Sequence, residues 1–127
     1  MIKVTSDRSR QLVIAEMSGF LNPADVERFD ADKEAAVLAM GLGSGDYVIL
    51  INTEGCVIQS QEVVAAFTRV VLDTRFKSRK LAVVRHDNLT RLQTRRILSV
   101  RDDAEIFASV DEAEAWLFDV GEQRRVA

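Results

Sequence analysis

The chain has 127 residues, of which 47% are hydrophobic and 29% charged, with a single proline, a single cysteine and a formal net charge of −3. This is the balance of one soluble globular domain, and it excludes a collagen-like or low-complexity chain. Cys56 alone forbids an internal disulfide and a cysteine-rich zinc site, and no apolar run approaches the ~18 residues that span a bilayer.

In chain order, Ile2 and Val4 alternate with polar neighbours and predict a short edge strand. Leu12 to Ala15 predicts a second strand, and the short polar break between them predicts a hairpin. Asn22-Pro23-Ala24-Asp25 is a helix start, with Asn22 as cap, Pro23 at the first position and Asp25 closing a capping box. Val26, Phe29, Ala36, Val37 and Met40 follow the helical period, with Lys33 the polar exception, and Gly41 is the expected stop. Tyr47 to Ile51 is apolar without alternation and predicts a central strand buried on both faces, followed by a loop from Asn52 to Ser60.

A second helix is expected from about Gln61 to Arg75, with Val63, Val64, Phe67, Val70 and Val71 inward. Leu81 to Val84 is another buried strand. Asp87 or Asn88 caps a third helix bearing Leu89, Leu92, Ile97 and Leu98. Glu105 to Ala108 is a last strand, and Ser109 with Glu112 forms a capping box before Ala113, Trp116 and Leu117. The order ββαβαβαβα implies an α/β fold, with an N-terminal hairpin and then β-α units forming a mostly parallel sheet with helices packed against it. Residues 1–119 form one domain and 120–127 a frayed tail.

Charge is segregated along the chain. Residues 69–101 hold ten basic and two acidic side chains, between flanks of 5 basic with 10 acidic (1–68) and 2 basic with 8 acidic (102–127). Such a block can bind phosphate, nucleic acid or an acidic partner. Nucleic acid is disfavoured by the negative net charge and by the lack of interleaved aromatics beyond Phe76. The complementary segments are compatible with a homodimer. The N-terminus MIKVTSDRSR has no apolar signal region, and the expected compartment is the cytoplasm.

The enzyme readings are thin. Gly41-Leu42-Gly43-Ser44-Gly45 lies between a helix and a strand, the reverse of a dinucleotide or phosphate loop. His86, the only histidine, has Asp87 beside it, but Asp87 is better used as a helix cap. A His-based metal cluster is excluded by count. Cys56 as a nucleophile would have only His86 as its imidazole base. Asn52 stands at the strand end where a receiver-like domain carries its phospho-acceptor aspartate. The expectation is a protein without catalysis, metal or cofactor.

Three segments carry a family likeness: YVILINTEGCVIQS (Tyr47 to Ser60), KLAVVRHDN, and VRDDAEIFASVDEAEAWL. In strand, loop, capping serine and closing helix the chain resembles the STAS domain, the sulphate transporter and anti-sigma factor antagonist fold, and within it the SpoIIAA-like branch. The resemblance covers nearly the whole chain through element order rather than one specific motif. It implies a non-enzymatic regulatory module that binds a kinase or anti-sigma factor and is switched by phosphorylation of a serine at the start of the second helix. Ser60 falls at or near that position, where its plainer role is simply to cap the helix, and Asn52, Glu54, Gln59, Ser60 and Glu62 become the expected partner surface. Two departures stand out. The antagonist pattern has an aspartate where this chain has Gln59, and a glycine-containing turn where it has Gln61-Glu62-Val63. The alternative is a sensor of a small anionic or apolar ligand, or of an anionic membrane surface, the less favoured partner, using Arg91, Arg95 and Arg96. Arg91 and Arg95 share a helix face by their spacing.

Overall fold

A computed structural model describes residues 1–85 and 88–119, with the side chains of 88–90 outside the description. His86, Asp87, the position of Leu89's side chain and the 120–127 tail therefore lie outside the described residues. The elements are β1 (Ile2–Asp7), β2 (Leu12–Gly19), α1 (Pro23–Ala39), β3 (Val48–Cys56), α2 (Gln61–Leu72), β4 (Lys80–Val84), α3 (Asn88–Leu98), β5 (Ala104–Phe107) and α4 (Val110–Leu117). They form one five-stranded sheet in the order β1-β2-β3-β4-β5, in which β1 and β2 are antiparallel and every later neighbour is parallel.

Strands that follow one another across a sheet in one direction, with right-handed crossovers, place their connecting helices on the same face. Accordingly α1 packs on α2 and α2 on α3. This face carries the main core, where Val13, Ala15, Ile49, Ile51, Leu81 and Val83 meet Val26, Phe29, Val37, Val63 and Val71. The side-chain alternation of the strands puts Leu12, Val48, Leu50, Ala82 and Val84 on the other face, where Ala113 and Leu117 of α4 cover them.

The local signals act as their chemistry dictates. The Asn22 side chain accepts from the Asp25 N–H at 2.9 Å and the Asp25 carboxylate accepts from the Asn22 N–H at 3.0 Å, so the capping box is complete. Gly41, at φ +72°, takes the left-handed conformation just past the Met40 cap. Lys33 is buried on the inner face of α1 with its ammonium 3.3 Å from Asp30, which is how a charge occupies a core-facing position. The Ser109 hydroxyl caps α4 through the Glu112 N–H at 3.2 Å; this is the serine half of the expected box.

Some boundaries differ from expectation. Asn52 to Cys56 is strand, not loop. It extends β3 alongside Glu16 to Gly19 of β2, with an irregularity in the register between Glu16 and Ser18. The loop before α2 shrinks to residues 57–60. The second helix ends at Leu72, because the Asp73 carboxylate accepts from the Arg75 N–H at 3.0 Å and from the Arg75 guanidinium, turning the chain out of the helix. The last strand begins and ends one residue earlier than expected, and Asn88 is already the first residue of α3. No helix among the described residues is long and apolar enough to cross a membrane.

Candidate functional site

The expected partner residues all lie on or just beyond the far half of β3, but they are not one patch. Asn52 and Glu54 project from the sheet face that α4 covers elsewhere. They line a shallow groove of about 250 Å³ with Lys3, Glu16 and Ser18, and the Asn52 side chain accepts from the Glu54 N–H at 3.0 Å. Gln59, Ser60 and Glu62 lie at the turn into α2. Ser60 is half-buried and its hydroxyl accepts from the Val63 N–H at 3.2 Å, so it is the N-cap of α2. Glu62 is exposed in the first turn, where a carboxylate suits the positive end of the helix.

Gln59 is the organising residue of this corner. Its side-chain oxygen accepts from the Leu21 N–H at 2.8 Å, and its amide nitrogen donates to the carbonyls of Gly19 at 3.0 Å and Val57 at 2.6 Å. Its backbone pairs reciprocally with the side chain of Gln93 on α3: the Gln59 N–H donates to Gln93 Oε1 and Gln93 Nε2 donates to the Gln59 carbonyl, both at 3.0 Å. One residue thus ties the β2–α1 connection, the β3–α2 turn and α3 together. Gln59 uses both its donor and its acceptor here, and the carboxylate of an aspartate has no donor to offer those carbonyls. Around this knot stand exposed apolar side chains: Val57 at 53% of its full accessibility, Ile58 at 49%, Phe20 at 67% and Leu92 at 71%.

The three arginines of α3 have different fates. The Arg91 guanidinium turns inward and donates to the Arg85 carbonyl at 3.2 Å. Arg95 and Arg96 are exposed and make no ion pair among the described residues. Elsewhere the basic block is partly neutralised by the chain's own acids: Arg75 by Glu34 and Asp73, and Lys77 and Arg101 by Asp103. The acidic group Asp30, Glu34 and Asp73 has carboxylate oxygens within 4.8 Å of one another, and Lys33 and Arg75 already supply cations to it.

Cys56 is half-buried, and burial pushes its thiol above the ordinary range while the nearby Arg85 partly opposes this. The thiolate is therefore disfavoured, which is the wrong direction for a nucleophile. Arg85 itself is buried, and its guanidinium donates to the carbonyls of Thr53 and Cys56, bracing the end of β3 against β4. Sequence reasoning missed Arg85 and Gln93. Both act on backbone groups about thirty residues away, and short-range spacing does not report such contacts.

No family model matches the sequence, and no curated protein matches it. Solved structures do. An uncharacterised Shewanella loihica protein with a SpoIIAA-like fold superposes with a TM-score of 0.68 at 19% identity, over 92% of each chain. The anti-sigma factor antagonist SpoIIAA in its unphosphorylated form gives 0.57 at 13% identity over 98% of each. An anti-sigma factor antagonist from Mycobacterium paratuberculosis gives 0.57 at 8%, over 92% of this chain and 94% of that one. The fold of this chain is the STAS or SpoIIAA-like fold.

Proposed function

We propose that the chain is a non-enzymatic regulatory module that docks a protein partner at the turn from β3 into α2, with Ser60 as the residue whose modification switches docking. The observation that carries this reading is the exposed apolar pair Val57 and Ile58, held on a braced turn directly before a helix-capping serine. Exposed apolar side chains ringed by polar groups are what an interface buries at its centre. A phosphate on Ser60 adds about −1.5 to −2 charge beside them. The helix end tolerates it, whereas an acidic partner surface is repelled. Two of the solved structures with this fold are anti-sigma factor antagonists, which makes a kinase or an anti-sigma factor the class of partner to seek.

The test uses affinity capture from the native host's extract with wild type, Ser60→Asp and Ile58→Asp as parallel baits. The expected result is a partner held by wild type and lost by both variants. A partner retained equally by all three baits refutes the surface, and one lost only by Ile58→Asp refutes the switch. Ser60→Asp keeps a capping carboxylate, so its stability stays near wild type, whereas Ser60→Ala costs about 1 kcal/mol; a denaturation curve separates lost docking from lost folding.

A second reading, an anionic ligand or membrane surface, narrows to Arg95 and Arg96, since Arg91 is engaged with the Arg85 carbonyl. It predicts retention on anionic vesicles that falls with salt. Equal retention on neutral vesicles removes it.

A further inference from the structure

The sheet has two open edges, β1 and β5, and they differ in kind. β5 is four residues long, whereas β1 runs for six residues and pairs with β2 without a break in register or a proline. The ladder also fixes which backbone groups of β1 are used. Met1 and Ser18 exchange both of their main-chain hydrogen bonds, at 2.7 and 2.9 Å. In an antiparallel pair such positions alternate with positions whose amides point away from the partner strand. Lys3, Thr5 and Asp7 therefore turn their amides to β2, and Ile2, Val4 and Ser6 turn theirs out to the free edge. Among the described residues no backbone group pairs with those outward amides. The side chains alternate too: Ile2 and Val4 pack on the core on the α1 side, while Lys3 and Thr5 stand exposed on the opposite face. A regular open edge of this kind is a template for another strand.

We propose that the β1 edge binds the β1 edge of a second copy of this chain, antiparallel about a two-fold axis, so that the two sheets become one continuous sheet. The two-fold requires one residue to face its own copy. An axis through Val4 sets Lys3 opposite the partner's Thr5 and diagonally beside the partner's Lys3, which brings like charges together. An axis through Thr5 sets Lys3 directly opposite the partner's Asp7, twice by symmetry, with Thr5 against the partner's Thr5 between the two charge pairs. It also joins the outward amides of Val4 to those of the partner's Ser6, and the reverse. The charge pattern selects this second register. Asp7 already accepts from Arg10 and Ser9, and a carboxylate has acceptor sites for a further donor. A lysine on an edge strand ordinarily repels further strands. Here the acid that answers it stands four residues along the same strand, so the strand that satisfies Lys3 is a copy of β1 itself. The surface does not include Ser60 and is independent of its role.

Sedimentation equilibrium of the full chain over a range of concentrations is the test, and the expected result is a reversible equilibrium between monomer and a species of twice the chain mass. Ser6→Pro removes an outward N–H that β2 does not use, a change an edge strand tolerates. Lys3→Glu sets acid against the partner's Asp7. Each is expected to weaken the dimer about tenfold or more. Asp7→Lys alone sets lysine against the partner's Lys3 and weakens it likewise. An equimolar mixture of Lys3→Glu and Asp7→Lys chains is expected to regain the affinity, because every pair of positions 3 and 7 across the seam is then of opposite sign. Circular dichroism and a dispersed NMR spectrum establish that each variant folds. Asp7→Lys also loses its bonds to Arg10 and Ser9; should it not fold, Ser6→Pro and Lys3→Glu decide. A monomer at every concentration up to ~0.5 mM, a dimer that a folded Ser6→Pro or Lys3→Glu chain leaves unchanged, or a mixture of folded chains no tighter than its components overturns the proposal.

Discussion

Removing the Gln59 side chain is the sharpest test of how this corner is built. Gln59→Ala deletes three hydrogen bonds at once, to the Leu21 N–H and to the Gly19 and Val57 carbonyls, two of them spanning 38 and 40 residues of chain. Gly19 and Val57 are exposed, so water can replace the amide at their carbonyls at small cost. Leu21 is buried with 1% exposure, and its N–H is left without a partner, for about 1–3 kcal/mol. The total expected loss is about 2–3 kcal/mol. With a urea slope of about 1–3 kcal/mol/M, the unfolding midpoint falls by roughly 1–2 M. Gln59→Glu sharpens the test. One carboxylate oxygen still accepts from Leu21, but the other faces two carbonyl oxygens in place of a donor. The ionised form is thereby disfavoured in the fold and the carboxyl pKa rises above its unfolded value of about 4.3. The deficit is therefore full at neutral pH and shrinks as pH falls through that raised pKa toward the unfolded value. A loss below about 0.5 kcal/mol in Gln59→Ala, or a Gln59→Glu deficit that does not change with pH, refutes the tether.

Three further outcomes are expected. Gly55→Ala would place a Cβ 2.9 Å from Ser18 Cβ; it costs about 1–3 kcal/mol by urea denaturation, and adding Ser18→Gly restores most of it. The Arg75 guanidinium and N–H beside Asp73 hold its carboxyl at about 2, below its ordinary 3.8. Its contribution is present above the unfolded value and lost as pH falls from about 4 toward 2, so a carboxyl-carbon NMR titration should give a midpoint near 2 that Arg75→Gln raises. Leu98→Ala truncates a buried core side chain of α3 and lowers stability by about 2–5 kcal/mol in urea denaturation.

Much of the fold was legible because its signals are local. The Asn22 and Ser60 caps, the Gly41 stop and the apolar runs of β3 and β4 each depend on neighbours within four residues or on a simple period. The far half of β3 was not. Asn52-Thr53-Glu54-Gly55-Cys56 has turn-like composition, and it is strand because β2 runs alongside it and because Asn52 and Glu54 face a part of the sheet that is open to solvent. The alternation was there, but on polar residues, where burial gives no apolar mark. The site divides in the same way. Ser60 was readable as a cap, whereas the roles of Gln59, Arg85 and Gln93 exist only once distant segments meet. The spacing put Arg91 and Arg95 on one face of α3, and that pair is split by the inward turn of Arg91, a contact no spacing reports.

The strictly sequential strand order bears on how the chain acquires its structure during synthesis. Each strand pairs with the one made just before it, so no early segment has to wait for a distant partner, and the sheet can grow by accretion as domains emerge N-terminus first. The two faces mature on different schedules. α1, α2 and α3 are each in hand as their strands add on, while Leu12, Val48, Leu50, Ala82 and Val84 wait for α4, the last described helix, to cover them. A nascent chain stalled before Val110 therefore presents an apolar stripe across β2, β3 and β4, and this is the stage at which it most needs a chaperone.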